Sequence, residues 1–238
     1  AFIKSNLMME KIVARAASKI IVVSEKDEDV YKKSGFDRSK FIVIPTCADL
    51  SMVTITPKSE AKSKLGIPAN KKVILFFGSL NYYPNEDAVR YLIDNAIPDL
   101  RKLIPDATLY VAGSGTIENT DDAVMLGYVP DIFLWISAAD VCVAPLWKGV
   151  GILTKVIDVL SVGCPIVVSS LAVDGIPELV DGKNCLIGTK DNFHEKIAQI
   201  LCNPELGNTL GNEGRKLILD KYSWEAVAPK LKSCLEAL

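Results

Sequence analysis

The chain has 238 residues, of which 49% are hydrophobic and 24% charged, as in an ordinary globular protein. Its formal net charge is −2, and the sequence holds no stripe of Lys and Arg interleaved with aromatic residues, so no nucleic-acid partner is expected. No apolar run approaches the ~18–20 residues of a membrane span.

The six cysteines form no CxxC pair and no metal-ligand spacing. Free cysteines in apolar strands behave as small hydrophobic residues, so a reduced, cytoplasmic setting is preferred to a disulfide framework. A peripheral position at the cytoplasmic face of the membrane is left open.

The N-terminal segment predicts two helices that alternate with two short strands. A helix is expected over 6–17, a strand over 19–23 and a second strand over 41–45. Between the strands, Ser24 followed three residues later by Asp27 predicts a capped helix start. The polar stretch that follows, with Pro and Gly, is expected to be a linker.

From residue 72 onward, apolar β-branched runs alternate with helical patterns. Strands are expected near 73–77, 108–112, 124–126, 141–144, 166–169 and 185–187. Helices are expected near 86–95, 132–138, 152–162, 176–180 and 193–201. Continuous apolar strands between helices predict an α/β fold with a parallel, doubly wound, Rossmann-like sheet.

The segment GVGILTK carries the strongest functional signal, because it joins a predicted strand to a predicted helix. Gly149 and Gly151 allow the backbone to approach an anion, and the N–H groups of a helix start would face it. Lys155 and Asp158 are three residues apart and so share one helix face. This arrangement suits a nucleotide diphosphate and its ribose. An ordinary ion pair between the two side chains on a half-buried helix explains the spacing equally well.

Two other features favour simpler interpretations. Gly113 and Gly115 follow a strand, but Glu118 occupies the third glycine position of a dinucleotide fingerprint, which disfavours NAD. His194 is the only histidine and lies in a polar stretch, where a solvated side chain is expected. A Ser-His-Asp hydrolase is disfavoured for the same reason.

The segment after the first strand of the predicted sheet holds aromatic and capping residues. Tyr82 and Tyr83 either stack on a ligand or a partner domain or pack the loop, and the sequence leaves these alternatives open. Asn85 followed by Glu86 and Asp87 predicts a helix N-cap.

The loop, helix and strand after residue 148 resemble the donor-binding motif of the GT-B glycosyltransferases, in particular glycosyltransferase family 4. The matching positions are Gly149, Gly151, Asp158, Gly163, Pro165 and Val167. Further segments resemble the family in the same order, namely 20–50, 76–89, 105–115, 124–145, 174–187 and 223–238. The resemblance thus covers nearly the whole chain.

The chain departs from the usual family motif of Glu, seven residues, Glu. Val150 stands at the first acidic position and Asp158 at the second. The Arg and Lys that often follow the first strand are absent. A subgroup of the family carries Gly-x-Gly and a lysine near the position of Lys155 instead, and this chain is more similar to that subgroup.

The resemblance implies a role for each site residue. The base would rest near Tyr128 and Val129, Asp158 would bind the ribose hydroxyls, and Lys155, Ser79 and the 149–154 amides would stabilise the leaving diphosphate. Lys155 and Asp158 are the residues expected to carry the catalysis, and no cofactor or metal is expected. The full set of expected donor-binding residues is Gly78, Ser79, Asn81, Tyr128, Val129, Gly149, Val150, Gly151, Ile152, Leu153, Thr154, Lys155 and Asp158.

The resemblance also implies the C-terminal half of a two-domain fold. The segments expected are the tail of an N-terminal acceptor-side domain (1–50), a linker (51–71), a nucleotide-sugar domain (72–222) and a closing helix (223–238). The chain begins without Met, and we expect a piece of a longer protein that is nearly inactive without its N-terminal domain.

The implied activity is that of a retaining glycosyltransferase that uses a nucleotide sugar. Its acceptor, a saccharide, a lipid or a small molecule, is not specified by the sequence. A sugar-nucleotide epimerase of the same fold and a catalytically silent scaffold are the alternatives.

Overall fold

The structure of the chain, a computed structural model, describes residues 2–117, 122–148 and 153–237. It contains a small two-stranded sheet near the N-terminus and a six-stranded sheet, both entirely parallel. No helix in these ranges is long and apolar enough to cross a membrane.

The N-terminal unit follows the predicted order of helix, strand, helix and strand. Its elements are α1 (Phe2–Ala16), β1 (Ile20–Val22), α2 (Glu25–Lys33) and β2 (Phe41–Val43). The predicted cap of α2 is confirmed, because the Asp27 N–H donates to Ser24 Oγ over 3.1 Å and Ser24 Oγ donates to the Asp27 carboxylate over 2.7 Å.

The large sheet accounts for the alternating strands of the sequence. Its strands are β3 (Lys72–Phe77), β4 (Ala107–Ala112), β5 (Ala123–Gly127), β6 (Val141–Ala144), β7 (Ile166–Ser169) and β8 (Leu186–Gly188). They lie in the order β5-β4-β3-β6-β7-β8. The chain therefore adds strands on one side of β3 and then crosses to the other side. The β3/β6 boundary is the topological switch point, beside which ligands bind in open α/β sheets.

Helices connect these strands and cover both faces of the sheet. They are α3 (Lys58–Lys64), α4 (Tyr83–Tyr91), α5 (Ile97–Leu103), α6 (Ile132–Ala138), α7 (Thr154–Val162), α8 (Leu171–Gly175), α9 (Phe193–Cys202), α10 (Pro204–Leu217) and α11 (Trp224–Glu236). Two π-helical turns, Leu92–Ala96 and Ile218–Tyr222, continue α4 into α5 and α10 toward α11.

Alternate residues of each strand pack on opposite faces of the sheet. In β3, Ile74 and Phe76 enter one core cluster while Val73 and Leu75 enter the other, and all four are fully buried. Because helices cover both faces, the strands are apolar throughout rather than alternating. The predicted doubly wound α/β fold is confirmed.

The predicted helix over 176–180 is wrong. The helix in this region is α8, and its C-cap is Ile176, whose backbone has φ −135° and ψ 80°. Pro177 follows directly, and a proline disfavours the helical conformation of the residue before it.

Among the described helices, α3, α5, α8 and α10 were not predicted from the sequence. The helix α10 begins with Pro204 after Asn203, whose side chain accepts the Leu206 N–H, and this is a recognisable start signal. The helix α3 lies within the segment expected to be only a linker.

A buried ion pair fastens α3 to the amino ends of β3 and β6. Lys62 is 4% exposed, and its Nζ donates to the Asp140 carboxylate over 2.8 Å and to the Lys71 carbonyl over 2.7 Å. The Val73 N–H also donates to Asp140 over 2.9 Å. Burial acts to raise the pKa of Asp140, but the hydrogen bonds from Lys62 and Val73 outweigh it and hold the pKa below its ordinary value.

Removing the Lys62 ammonium should leave Asp140 with only the more exposed Lys58, 3.2 Å away, as its ion-pair partner. We expect Lys62→Met to lower the free energy of unfolding by about 3 kcal/mol in urea denaturation. The matched control is Lys64→Met, on the same helix, which removes only an exposed pair with Glu60 and should cost less than ~0.5 kcal/mol. Equal, small losses in both variants would show that the buried pair does not hold α3 in place.

Candidate functional site

The carboxyl ends of three neighbouring strands meet in close backbone contact. Gly78 follows β3 and donates its N–H to the Ala112 carbonyl at the end of β4 over 2.9 Å. Gly113 follows β4 and donates to the Gly127 carbonyl at the end of β5 over 2.7 Å. A Cβ on Gly113, which has φ +150°, would lie 2.0 Å from the Gly78 carbonyl oxygen. Only glycine allows the loops to approach so closely.

Lys155 reaches this edge from the first turn of α7, on the other side of the switch point. Its Nζ donates to Asn85 Oδ1 over 2.7 Å and lies 4.3 Å from the centroid of the Phe76 ring. It also lies beside Gly78, where a Cβ would be 2.9 Å from the ammonium nitrogen. The lysine therefore connects β3, α4 and α7 at one point.

No carboxylate neutralises Lys155 within the ranges that the structure describes. Its hydrogen-bond acceptor is the neutral Asn85 amide, and the Phe76 ring interacts with a cation without carrying charge. Burial lowers the pKa of Lys155 to about 7. The site thus holds a lysine whose positive charge is not compensated.

Asp158 lies one turn further along α7 and is partly buried. Among the described residues its carboxylate receives no hydrogen bond and forms no ion pair, with Lys155 or any other cation, and burial raises its pKa to about 6. The interpretation of these two residues as an ordinary surface ion pair is therefore wrong. The expectation that they lie on the same helix is confirmed.

Among the described residues, no side chain caps the backbone N–H groups at the start of α7. The N-cap position is Leu153, which cannot accept a hydrogen bond through its side chain, and Thr154 begins the helix. Uncapped N–H groups at a helix start favour a bound anion. Four of the expected donor-binding residues, Gly149, Val150, Gly151 and Ile152, lie outside the described residues.

The remaining expected residues lie along the same edge of the sheet. Ser79 is exposed and its Oγ is 3.0 Å from Ser114 Oγ, while Asn81 is exposed on the same loop. Tyr128, which is 80% exposed, and Val129 follow Gly127 at the end of β5. The structure therefore brings Gly78 next to Lys155, and it sets Tyr128 and Val129 two strands away.

The role of Asn85 differs from the one that the sequence predicts. The N-cap of α4 is Tyr82, so the predicted capping role of Asn85 is wrong. Asn85 instead lies in the first turn, where its Nδ2 donates to the Ser79 carbonyl over 2.8 Å while its Oδ1 accepts from Lys155. No local pattern reveals a contact with a residue 70 positions away in the sequence.

The two tyrosines before Asn85 are not core residues. Tyr82 and Tyr83 are both more than half exposed, and Tyr83 Oη accepts from Lys148 Nζ over 3.0 Å. They border the loop rather than pack beneath it. Within the described ranges, no three metal-ligating side chains come together at this edge or elsewhere.

The fold is a doubly wound α/β domain that places Lys155, with the neutral Asn85 amide as its acceptor, at the switch point of the sheet. A model of the family described as glycosyl transferases group 1 matches residues 71–203, more than half of the chain, and the chain belongs to this family.

The chain is similar to a curated relative from Corynebacterium glutamicum, a GDP-mannose-dependent monoacylated alpha-(1-6)-phosphatidylinositol monomannoside mannosyltransferase. The two are 25% identical over 86% of this chain and 58% of the relative. The chain spans about half the length of the curated relatives it matches.

Solved structures share the fold at lower sequence identity. Anabaena HepE in complex with UDP superposes with a TM-score of 0.84 at 17% identity, over 98% of this chain and 68% of HepE. The C-terminal domain of a glycosyl transferase group 1 family protein from Francisella tularensis has a TM-score of 0.59 at 17% identity, over 74% of this chain and 98% of that domain. The sheet described above is therefore that of a GT-B glycosyltransferase domain.

The partly buried carboxylate of Asp158 should make stability depend on pH. Its folded pKa is about 6, above the ordinary value of 3.8, so the native state binds more protons between these values and stability falls as pH rises through them. We expect Asp158→Asn to raise the free energy of unfolding by about 2 kcal/mol at pH 8 and to have little effect at pH 4.

Urea denaturation at the two pH values tests this expectation. Asp94→Asn, an exposed aspartate on the helical turn after α4, is the matched control and should stay within ~0.5 kcal/mol at both. A loss of stability for Asp158→Asn at pH 8 would mean that the carboxylate has a favourable partner.

Proposed function

We propose that this chain binds the diphosphate and nucleoside of a nucleotide sugar and forms the donor site of a retaining glycosyltransferase. The observation that carries the proposal is Lys155, a lysine without a carboxylate partner among the described residues at the switch point of the sheet. The uncapped start of α7 beside it supplies backbone donors for the same anion.

In this proposal the site residues divide the ligand between them. Lys155, Ser79 and the amides at the start of α7 bind the diphosphate, and Asp158 accepts hydrogen bonds from the ribose hydroxyls. The base lies near Tyr128 and Val129. The positive charge stabilises the departing diphosphate, which is electrostatic stabilisation of the developing charge rather than proton abstraction by a base.

The relatives support a nucleotide-diphosphate ligand without selecting its base. The Corynebacterium relative is described as GDP-mannose-dependent, and HepE was solved with UDP. The proposed donor is a nucleotide sugar. The proposed acceptor is a saccharide, a lipid or a small molecule.

We also propose that residues 72–222 form the donor domain and 1–50 belong to an acceptor-side domain. The Francisella C-terminal domain matches 74% of this chain, which supports a donor domain as its larger part. On the N-terminal unit, α1 exposes an apolar face of Met8, Met9, Ile12 and Val13. Parallel sheets are normally covered on both faces, so further acceptor-side structure would pack against this unit.

A panel of nucleotides tests the donor site. Calorimetry with UDP, GDP and ADP should show binding of at least one diphosphate, and the matching nucleoside should bind at least ~10-fold more weakly because it lacks the charge that Lys155 recognises. Binding should persist in EDTA, because the lysine supplies the positive charge. A saturating ligand at 100 times its dissociation constant should raise stability by about 2.7 kcal/mol. If none of the three diphosphates bound, the alternative of a catalytically silent scaffold would be favoured.

Loss of the Lys155 charge should move stability and affinity in opposite directions. The pKa of Lys155 is about 7 in the folded protein and 10.5 ordinarily, so between these pH values the unfolded chain binds more protons than the native state. The buried charge therefore destabilises the native state at neutral pH. We expect Lys155→Met to unfold at a higher urea concentration at pH 7, yet to bind the diphosphate ~10–100-fold more weakly.

The matched control for this variant is Lys102→Met, which removes an exposed lysine paired with Asp99 on α5. Neither its stability nor its nucleotide affinity should change appreciably. Unchanged nucleotide affinity in Lys155→Met would remove Lys155 from the donor site.

A further inference from the structure

Asn85 is a buried polar residue that the family resemblance did not assign to the site. We propose that Asn85 is a positioning residue of the donor site, which fixes the Lys155 ammonium through a neutral acceptor and so leaves its charge available to the diphosphate. The proposal rests on the proposed function of Lys155 and adds a residue to it.

The amide of Asn85 is 7% exposed and uses both of its ends. Its Nδ2 donates to the Ser79 carbonyl over 2.8 Å, and its Oδ1 accepts from Lys155 Nζ over 2.7 Å. A reversed amide would place its NH₂ group against the ammonium and its oxygen against the carbonyl, so the two partners define one orientation. Asn85 thus joins the loop after β3 to the first turn of α7.

The neutrality of the acceptor is the decisive property. A carboxylate in the same place would form a salt bridge and compensate the lysine, as Asp140 does for Lys62 elsewhere in this fold. An amide oxygen orients the ammonium by a hydrogen bond but leaves its net charge in place. The Phe76 ring, 4.3 Å from Nζ, likewise stabilises a cation without neutralising it.

The charged groups on the neighbouring elements are engaged elsewhere or unpaired. On α4, Glu86 pairs with Arg90, and Asp87 lies 3.8 Å from Lys148. On α7, Asp158 forms no ion pair within the described residues. Asn85 is therefore the hydrogen-bond acceptor that orients Lys155 in the part of the chain that the structure describes.

Gly78 packs closely against this pair. A Cβ at this position would lie 2.8 Å from Asn85 Nδ2 and 2.9 Å from Lys155 Nζ, so any other residue would crowd both groups. At Gly78, the loop after β3 therefore contacts the lysine through backbone atoms alone.

Asn85→Asp tests the proposal, because it keeps the size of the side chain and changes only its charge and one donor. We expect the nucleoside diphosphate that binds the wild type best among UDP, GDP and ADP to bind ~10–100-fold more weakly, while the matching nucleoside changes by less than ~3-fold. Calorimetry at pH 7.5 measures both affinities.

The pH dependence of affinity separates positioning from a structural effect. In the wild type, burial lowers the pKa of Lys155 to about 7, so the lysine loses its proton as pH rises above this value. Diphosphate binding at higher pH must then be accompanied by protonation of Lys155. The affinity should then fall roughly 10-fold between pH 7 and 8.5, where the phosphate itself, with a second pKa near 6, no longer titrates. In Asn85→Asp the adjacent carboxylate keeps the lysine protonated, so affinity should change by less than ~3-fold over this range.

Two comparisons make the test specific. Asn95→Asp makes the same change on the exposed surface of the turn after α4, and it should keep the wild-type affinity and pH dependence. In a Lys155→Met background, Asn85→Asp should have no further effect on affinity, because a residue that acts through Lys155 has nothing left to position.

Each outcome decides the proposal. The proposal would be overturned if Asn85→Asp bound the diphosphate with wild-type affinity. It would also be overturned if Asn85→Asp weakened binding as much in the Lys155→Met background as in the wild type. Failure of the wild type to bind any of the three diphosphates would instead overturn the proposed function. If Asn85→Asp does not fold, the same comparison with Asn85→Ser, which removes both hydrogen bonds, must weaken binding only while Lys155 is present.

Discussion

A lysine that is partly removed from water needs a compensating charge, a set of neutral dipoles or a lowered pKa, and the whole site depends on how Lys155 meets this constraint. The lysine is held by the Asn85 amide and the Phe76 ring rather than by a carboxylate of the described residues. In the free protein, desolvation of the ammonium is therefore not offset, and it lowers the pKa of Lys155 to about 7. An anion that binds beside the lysine would supply the missing charge, so the same feature that weakens the free fold would strengthen the complex.

The sheet topology makes this arrangement possible. Because β3 and β6 are neighbours although distant in sequence, the loop after β3 and the start of α7 meet at one edge. Close packing of Gly78 and Gly113 draws the strand ends together, with backbone atoms where side chains would otherwise stand. At the opposite edge, the Lys62–Asp140 pair shows a buried lysine in a structural setting, where a carboxylate is its partner. The two lysines differ in their partners rather than in residue type.

The sequence predicted the elements that depend on local patterns and missed those that depend on distant contacts. The strands of the large sheet were recognisable because burial on both faces makes them apolar throughout. The helix expected over 176–180 failed because Pro177 ends α8 early, a local effect that the apolar pattern concealed. At the site, Lys155 and Asp158 were identified from their spacing, the alternative that they form an ordinary ion pair was wrong, and Asn85 was assigned to a cap. The contact between Asn85 and Lys155 exists only after β3 and β6 have paired, so no local rule could find it. The roles of residues 149–152 stay predictions.

The central claim is that Lys155 carries a charge that only a bound anion compensates, and its titration tests this most directly. The shift of the side-chain ¹³Cε signal of Lys155 with pH, assigned by its absence in Lys155→Met, reports the pKa of this one group. We expect a midpoint near 7 in the free protein and a clear rise of that midpoint when a nucleoside diphosphate binds. A midpoint near the ordinary 10.5 that does not move with the ligand would contradict the account.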